Sequence, residues 1–139
     1  MKRSIEQKLM EWKESKDRKP LILNGARQVG KTYILREFGD LYYKNVVYVN
    51  LETNVSVASY FDGDISPERL IRYLEVYAGE AIIPESTLII FDEIQSCERA
   101  LTALKYFCEE TPEYHIAAAG SLLGVAIHRE RYSFPVGKV

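Results

Sequence analysis

A chain of 139 residues is about one domain long, and with 47% hydrophobic and 27% charged residues it has the makeup of a globular protein with a core, not of a disordered or fibrous one. Its 18 Lys and Arg against 20 Asp and Glu leave a net charge of −2, so no global field draws it to nucleic acid or anionic lipid, although a local basic patch is allowed. No run approaches the roughly 18 apolar residues of a membrane span, and the N-terminal "MKRSIEQKLMEWKESKDRK" has no apolar signal-peptide core, which points to the cytoplasm.

Ser4 and Gln7 stand at capping-box spacing, and Ile5, Leu9 and Trp12 recur at helical intervals among alternating charges. This predicts an amphipathic opening helix with a solvated charged face. "KDRKP" is a polar break, so residues 1–19 read as a helix and linker and residues 20–139 as the main domain. Leu21 to Asn24 is an apolar strand that runs into a glycine-rich loop. Ile34, Leu35 and Phe38 then give a short helix that Gly39 can close.

Val46 to Asn50 is β-branched and nearly uninterrupted, as strands buried on both faces tend to be. After an irregular segment through "FDGD", Ser66-Pro67 opens a helix carrying Leu70, Ile71, Leu74 and Tyr77, which Gly79 ends. Leu88 to Phe91 is a third strand. The next helix shows Leu101, Leu104 and Cys108 beside Ala100, Ala103 and Phe107, and Thr111-Pro112 stops it. "YHIAAAGS" is a fourth strand turning at Gly120-Ser121. Strand and helix in alternation predict an α/β fold, a parallel sheet covered by helices on both faces with right-handed crossovers. "RYSFPVGKV" opens what could be another strand, and the fold is expected to be truncated before its last strand and lid. Cys97 and Cys108, about 16 Å apart along one helix at 1.5 Å per residue, cannot pair there and read as reduced core thiols.

The loop after the first strand carries the chemistry. Gly25, Gly30, Lys31 and Thr32 complete G-x-x-x-x-G-K-[ST] between a predicted strand and a predicted helix, the context that gives the pattern its meaning. A triphosphate needs many hydrogen-bond donors in a small space. Backbone N–H groups supply them where side chains do not intrude, hence glycine at the bends, and the following helix adds its N-terminal dipole. Lys31 is expected to reach the β- and γ-phosphates and the Thr32 hydroxyl to ligate Mg²⁺, while Ala26, Arg27, Gln28 and Val29 contribute mainly backbone. A tight turn with a stray lysine is the plain alternative.

Hydrolysis also needs a carboxylate near the metal, at the carboxyl end of a buried strand. "LIIFDE" supplies Asp92 for the Mg²⁺ shell and Glu93 to orient and deprotonate the attacking water. An Asn/Thr-Lys-x-Asp guanine-reading motif is absent from the sequence, so the expected nucleotide is ATP. Ser121 follows the fourth strand, where ATPases similar to the AAA class place a polar residue that touches the γ-phosphate or the attacking water, although a Gly-Ser turn is also an ordinary strand ending. Asn50, at the end of the second strand, stands where enzymes of that kind often keep a polar partner that holds the catalytic Glu inactive until a ligand arrives, or else is a turn residue. His115 and His128 lack metal-ligand spacing with either cysteine, and Arg129, Arg131 and Lys138 are either finger candidates or a solvated loop.

The segments "GARQVGKT", "VYVNLE", "FDEIQ" and "AAAGSLLG", in that order, resemble a bacterial and archaeal family of AAA-type ATP-binding proteins whose chains continue into a C-terminal domain of uncharacterised function. The resemblance covers Pro20 to Val139. It implies a three-layer P-loop NTPase fold with an AAA-like core, the loop strand central, Asp92 and Glu93 as metal and catalytic acids, and Ser121 as the γ-phosphate sensor. It also implies a homo-oligomer as a possible assembly. Members generally carry a Gly-Arg pair after the sensor strand; here Gly137-Lys138 stands in that place, a point charge without the planar fork. The expected function is Mg²⁺-dependent ATP binding and hydrolysis that drives an attached C-terminal domain, with slow turnover by this piece alone. The alternative is a nucleotide-gated binding switch with negligible turnover. A DNA motor of the same broad class would need a basic or aromatic DNA-facing loop, which the sequence does not clearly offer.

Overall fold

The computed structural model describes residues 2–16, 19–25, 29–121 and 136–138. Helix α1 spans Lys2–Glu14, strand β1 Leu21–Gly25, helix α2 Val29–Tyr42 and strand β2 Asn45–Asn50. A short helix α3, Val55–Ala58, runs into a 3₁₀ turn at Ser59–Phe61, and helix α4 covers Pro67–Ala78. Strand β3, Thr87–Asp92, is followed by a 3₁₀ turn at Ile94–Ser96, helix α5 at Glu98–Glu110, strand β4 at His115–Ser121 and strand β5 at Val136–Lys138.

The strands form one parallel sheet in the order β2-β3-β4-β1-β5. From β1 the chain jumps across two positions to β2 and then steps back through β3 to β4. Right-handed crossovers in opposite directions must lie on opposite faces, and the packing follows. Ile89 and Phe91 of β3 join Val47, Val49, Ile116 and Ala118 in a core completed by α3, α4 and α5. Leu88 and Ile90 join Leu21, Leu23, Ala117 and Ala119 under α1 and α2, through Leu9, Trp12, Leu35 and Phe38. This is the expected three-layer α/β arrangement. β3 is buried along its whole length, and its period-two alternation feeds both cores.

Several local expectations are corrected. Helix α1 already runs at Lys2, which puts Ser4 inside the helix and not at its cap. Gly39 does not end α2, which continues to Tyr42. A Cβ there would lie 2.5 Å from Val46 Cγ2 and 3.0 Å from Leu88 Cδ2, so the glycine permits α2 to lie close on the sheet. Gly79 does close α4 in the left-handed conformation, at φ 74°, and Ser66 sits at the N-cap with Pro67 in the first turn. Ser66 is itself tied to Asp64, whose carboxylate accepts its N–H at 3.0 Å and its hydroxyl at 3.3 Å. The segment read as the opening of another strand does form one, Val136–Lys138, beside β1 and in register with Ile22 to Asn24. Cys97 and Cys108 are free but only half-buried, and burial pushes both thiols up. Among the described residues no helix is long and apolar enough to cross a membrane.

Candidate functional site

The carboxyl ends of four strands meet at one edge of the sheet. Gly25 at the end of β1 pairs with Ser121 at the end of β4, and Asn50 at the end of β2 pairs with Asp92 at the end of β3. In open α/β sheets this edge is where ligands bind, at the point where strand order reverses. Here the reversal lies between β1 and β4, on either side of which the chain departs in opposite directions.

Asp92 has the even-numbered parity of Leu88 and Ile90, so it faces the α1/α2 side. The residue is only 8% exposed, a degree of burial that a charge tolerates when it is hydrogen-bonded. Three donors meet it. The Thr32 hydroxyl donates to Oδ2 at 2.9 Å, the Tyr48 hydroxyl donates to the same oxygen at 2.6 Å, and the Glu93 N–H donates to Oδ1 at 2.9 Å. Thr32 and Asp92 are 60 residues apart in sequence. The first turn of α2 is held over β3 by packing of Leu35 and Phe38 against Leu88 and Ile90.

Tyr48 is the residue that sequence reasoning missed. It shares a strand face with Val46, pairs with Ile90, and so lies diagonally across from Asp92, within reach of a tyrosine's length. Burial, and then the bond donated to Asp92 together with that carboxylate's charge, push its hydroxyl up to about 12; a hydrogen bond with the Asn50 side chain and the Arg36 charge pull the other way. The Arg36 guanidinium lies over the Tyr48 ring, 4.6 Å from its centroid. The sequence shows only that a tyrosine stands two residues before the polar strand end, on the same face as Asn50, and not which side chain its hydroxyl meets.

Glu93 leaves the strand in the left-handed region, at φ 53° and ψ 47°. A non-glycine residue there costs on the order of 1–3 kcal/mol, a kind of strain that gathers at functional sites. Its Oε1 accepts a hydrogen bond from Gln95 Nε2 at 2.7 Å. The Asn50 Oδ1 accepts from the N–H groups of Glu52 and Thr53, at 2.9 and 3.1 Å, and so turns the chain after β2.

Of the loop, Gly25 ends β1, and Val29, Gly30, Lys31 and Thr32 form the first turn of α2. Ala26, Arg27 and Gln28 lie outside the described residues, as do His128, Arg129 and Arg131. Ser121 closes β4 and Lys138 pairs with Asn24 in β5, both placed here as backbone positions. Thr32 also opens a cleft along α2, lined further by Tyr33, Arg36, Glu37 and Asp40.

A hydroxyl and a carboxylate with a shared hydrogen bond are hard oxygen donors of the kind Mg²⁺ takes. Among the described residues no three His, Cys, Asp or Glu side chains gather as a metal cluster. Mg²⁺ held by one or two protein oxygens, with phosphates and waters completing its shell, needs no such cluster. The donor set therefore fits.

Comparison with known proteins bears on the family and the fold. Residues 17–139 match a family described as an AAA domain. No curated protein matches the chain. Among solved structures, the fold is similar to Drosophila ORC bound to AT-rich DNA and Cdc6, with a TM-score of 0.57 and 19% identity over 99% of this chain and 53% of that one. It is similar also to Drosophila ORC bound to DNA, with a TM-score of 0.57 and 18% identity over 99% of this chain and 87% of that one. The chain thus spans about half the length of the first of these relatives.

Proposed function

Because the chain belongs to the AAA domain family, a family of nucleotide-binding ATPase modules, we propose that it binds Mg-ATP at the carboxyl edge of its sheet and hydrolyses it. One observation carries the reading: the Thr32 hydroxyl and the Asp92 carboxylate, brought together from the loop helix and the end of β3. In this proposal the backbone from Gly25 to Thr32, including Ala26, Arg27, Gln28, Val29 and Gly30, cradles the phosphates, and the α2 dipole favours their charge. Lys31 binds the β- and γ-phosphates. Thr32 and Asp92 hold Mg²⁺, which when bound neutralises charge developing on the phosphate oxygens. Glu93 orients a water and takes its proton, and Ser121 contacts the γ-phosphate.

The second reading, a nucleotide-gated switch with negligible turnover, is favoured by the bond that ties Glu93 to Gln95. The donated bond takes up acceptor capacity on Oε1 and restrains the carboxylate's rotation, although Oε2 is an acceptor as well. Lys138 in place of an arginine also favours slow turnover by this chain alone. Oligomeric assembly, a cytoplasmic setting and movement of an attached C-terminal domain belong to the same proposal, by analogy with the family.

Calorimetric titration tests the core of the reading. The wild-type protein binds Mg-ATP, and Lys31→Ala loses detectable binding while keeping its melting temperature. Equal affinity of the two proteins would remove the phosphate-loop assignment. A single-turnover assay, with and without DNA because the similar ORC structures hold DNA, then separates the ATPase from the switch.

A further inference from the structure

The Asp92 carboxylate is held more completely than a metal shell by itself requires. Its two oxygens offer about four acceptor positions, and three are filled, two on Oδ2 by Thr32 and Tyr48 and one on Oδ1 by the Glu93 N–H. The terminal torsion of an aspartate is broad, so a carboxylate with one partner can rotate. Donors arriving from α2, β2 and its own strand end leave this one a single orientation.

Packing alone does not account for a tyrosine at position 48. The ring sits among Val46 and the α2 side of the sheet, where phenylalanine would fill the same space. Instead a hydroxyl is brought to 2.6 Å from the carboxylate, shorter than the Thr32 bond to the same oxygen. The ring is steadied from above by the Arg36 guanidinium, 4.6 Å from its centroid. Arg36 lies one helical turn after Thr32, so the helix that carries the phosphate loop also braces the tyrosine.

We propose that Tyr48 is a positioning residue for Asp92: its hydroxyl, on a ring braced by Arg36, fixes the carboxylate's rotation and thereby sets the affinity for the divalent cation that accompanies the nucleotide. The inference rests on the proposed nucleotide-binding role of Thr32 and Asp92. Hydrogen-bonding partners of metal ligands are typically worth about 10- to 100-fold in metal affinity.

The test uses the whole chain, a fluorescent ATP analogue and a Mg²⁺ series that begins in EDTA. For Tyr48→Phe, the Mg²⁺ concentration giving half-maximal enhancement of nucleotide affinity rises about tenfold or more, while affinity in EDTA stays at the wild-type value. Mn²⁺ binding to the nucleotide complex, followed by electron paramagnetic resonance, weakens by a similar factor. Arg36→Ala, at an exposed side chain, moves both readouts in the same direction and gives a second variant that leaves the core untouched. A lowered melting temperature with unchanged Mg²⁺ and Mn²⁺ dependence would make Tyr48 a packing residue and overturn the inference, leaving the ATP-binding proposal standing. Failure of the wild-type protein to bind the analogue at any Mg²⁺ concentration would overturn both.

Discussion

Asp92 and Glu93 are adjacent carboxylates in unlike surroundings, and the difference predicts a division of labour. Asp92 is buried, continues the strand and accepts from Thr32 and Tyr48. Glu93 is half-buried, left-handed in backbone and bonded to Gln95. Asp92→Asn replaces a charged acceptor with a neutral amide whose NH2 must face at least one of the three donors now bonded to the carboxylate, and the Mg²⁺ dependence of nucleotide binding is expected to fall. Glu93→Gln keeps its shape and is expected to keep ATP bound while turnover drops about 10²- to 10⁴-fold, the usual contribution of a general base. Affinity titrations and single-turnover rates on both variants check this; the same loss of affinity in each would refute the division.

Helix α2 connects the phosphate loop to the sheet, and Gly39 decides how closely it lies. Alanine is the better helix former by about 1 kcal/mol, and on an exposed face the exchange would stabilise. At this buried position the new methyl meets Val46 Cγ2 at 2.5 Å, on a β-branched side chain with little rotamer freedom. Overpacking of this kind costs about 1–3 kcal/mol. Gly39→Ala is therefore expected to destabilise the protein by about 1 kcal/mol net in urea unfolding. It should also weaken nucleotide binding, because tilting α2 separates Thr32 from Asp92. A stability gain would show that the helix can shift without strain. At its other side α2 packs with α1, whose Trp12 donates to the Lys19 carbonyl at 2.6 Å and meets His115 edge to face, tying the opening helix to β4.

For the whole molecule, the sheet order places the loop strand β1 between β4 and β5, so residues from every part of the chain end at one edge. A ligand that joins the loop to the end of β3 must stabilise the assembled fold as a unit. Linkage gives the size: free ligand at 100 times its dissociation constant adds about 2.7 kcal/mol, and ligand near its dissociation constant adds under about 0.5 kcal/mol. Melting temperature is expected to rise with Mg-ATP concentration in this manner, and to rise less with ATP in EDTA, since Thr32 and Asp92 then hold no metal. Identical curves with and without Mg²⁺ would speak against the proposed metal site.

Much of the molecule was legible in the order of its residues. Apolar runs at Leu21, Val46, Leu88 and Ile116 marked the strands because burial on both faces needs little polar interruption. The glycine-lysine-threonine loop and the acids after "LIIF" stood out because phosphate and metal chemistry admits few residue types at those spacings. Ser4 and Gly39 misled because a cap and a helix stop are local signals, while α1 began earlier and Gly39 answered to a valine on another element. Tyr48 was beyond local reading for the same reason: its partner Asp92 is 44 residues away, and only strand register and the parity of two pleats put its hydroxyl on that carboxylate. The left-handed turn at Glu93 and its bond to Gln95 likewise depend on how β3 leaves the sheet. Composition and periodicity determined the layers and the loop, since those follow from burial and backbone chemistry along the chain. Tertiary structure decided which side chains share an oxygen, because that depends on distances between segments that no spacing in the sequence encodes.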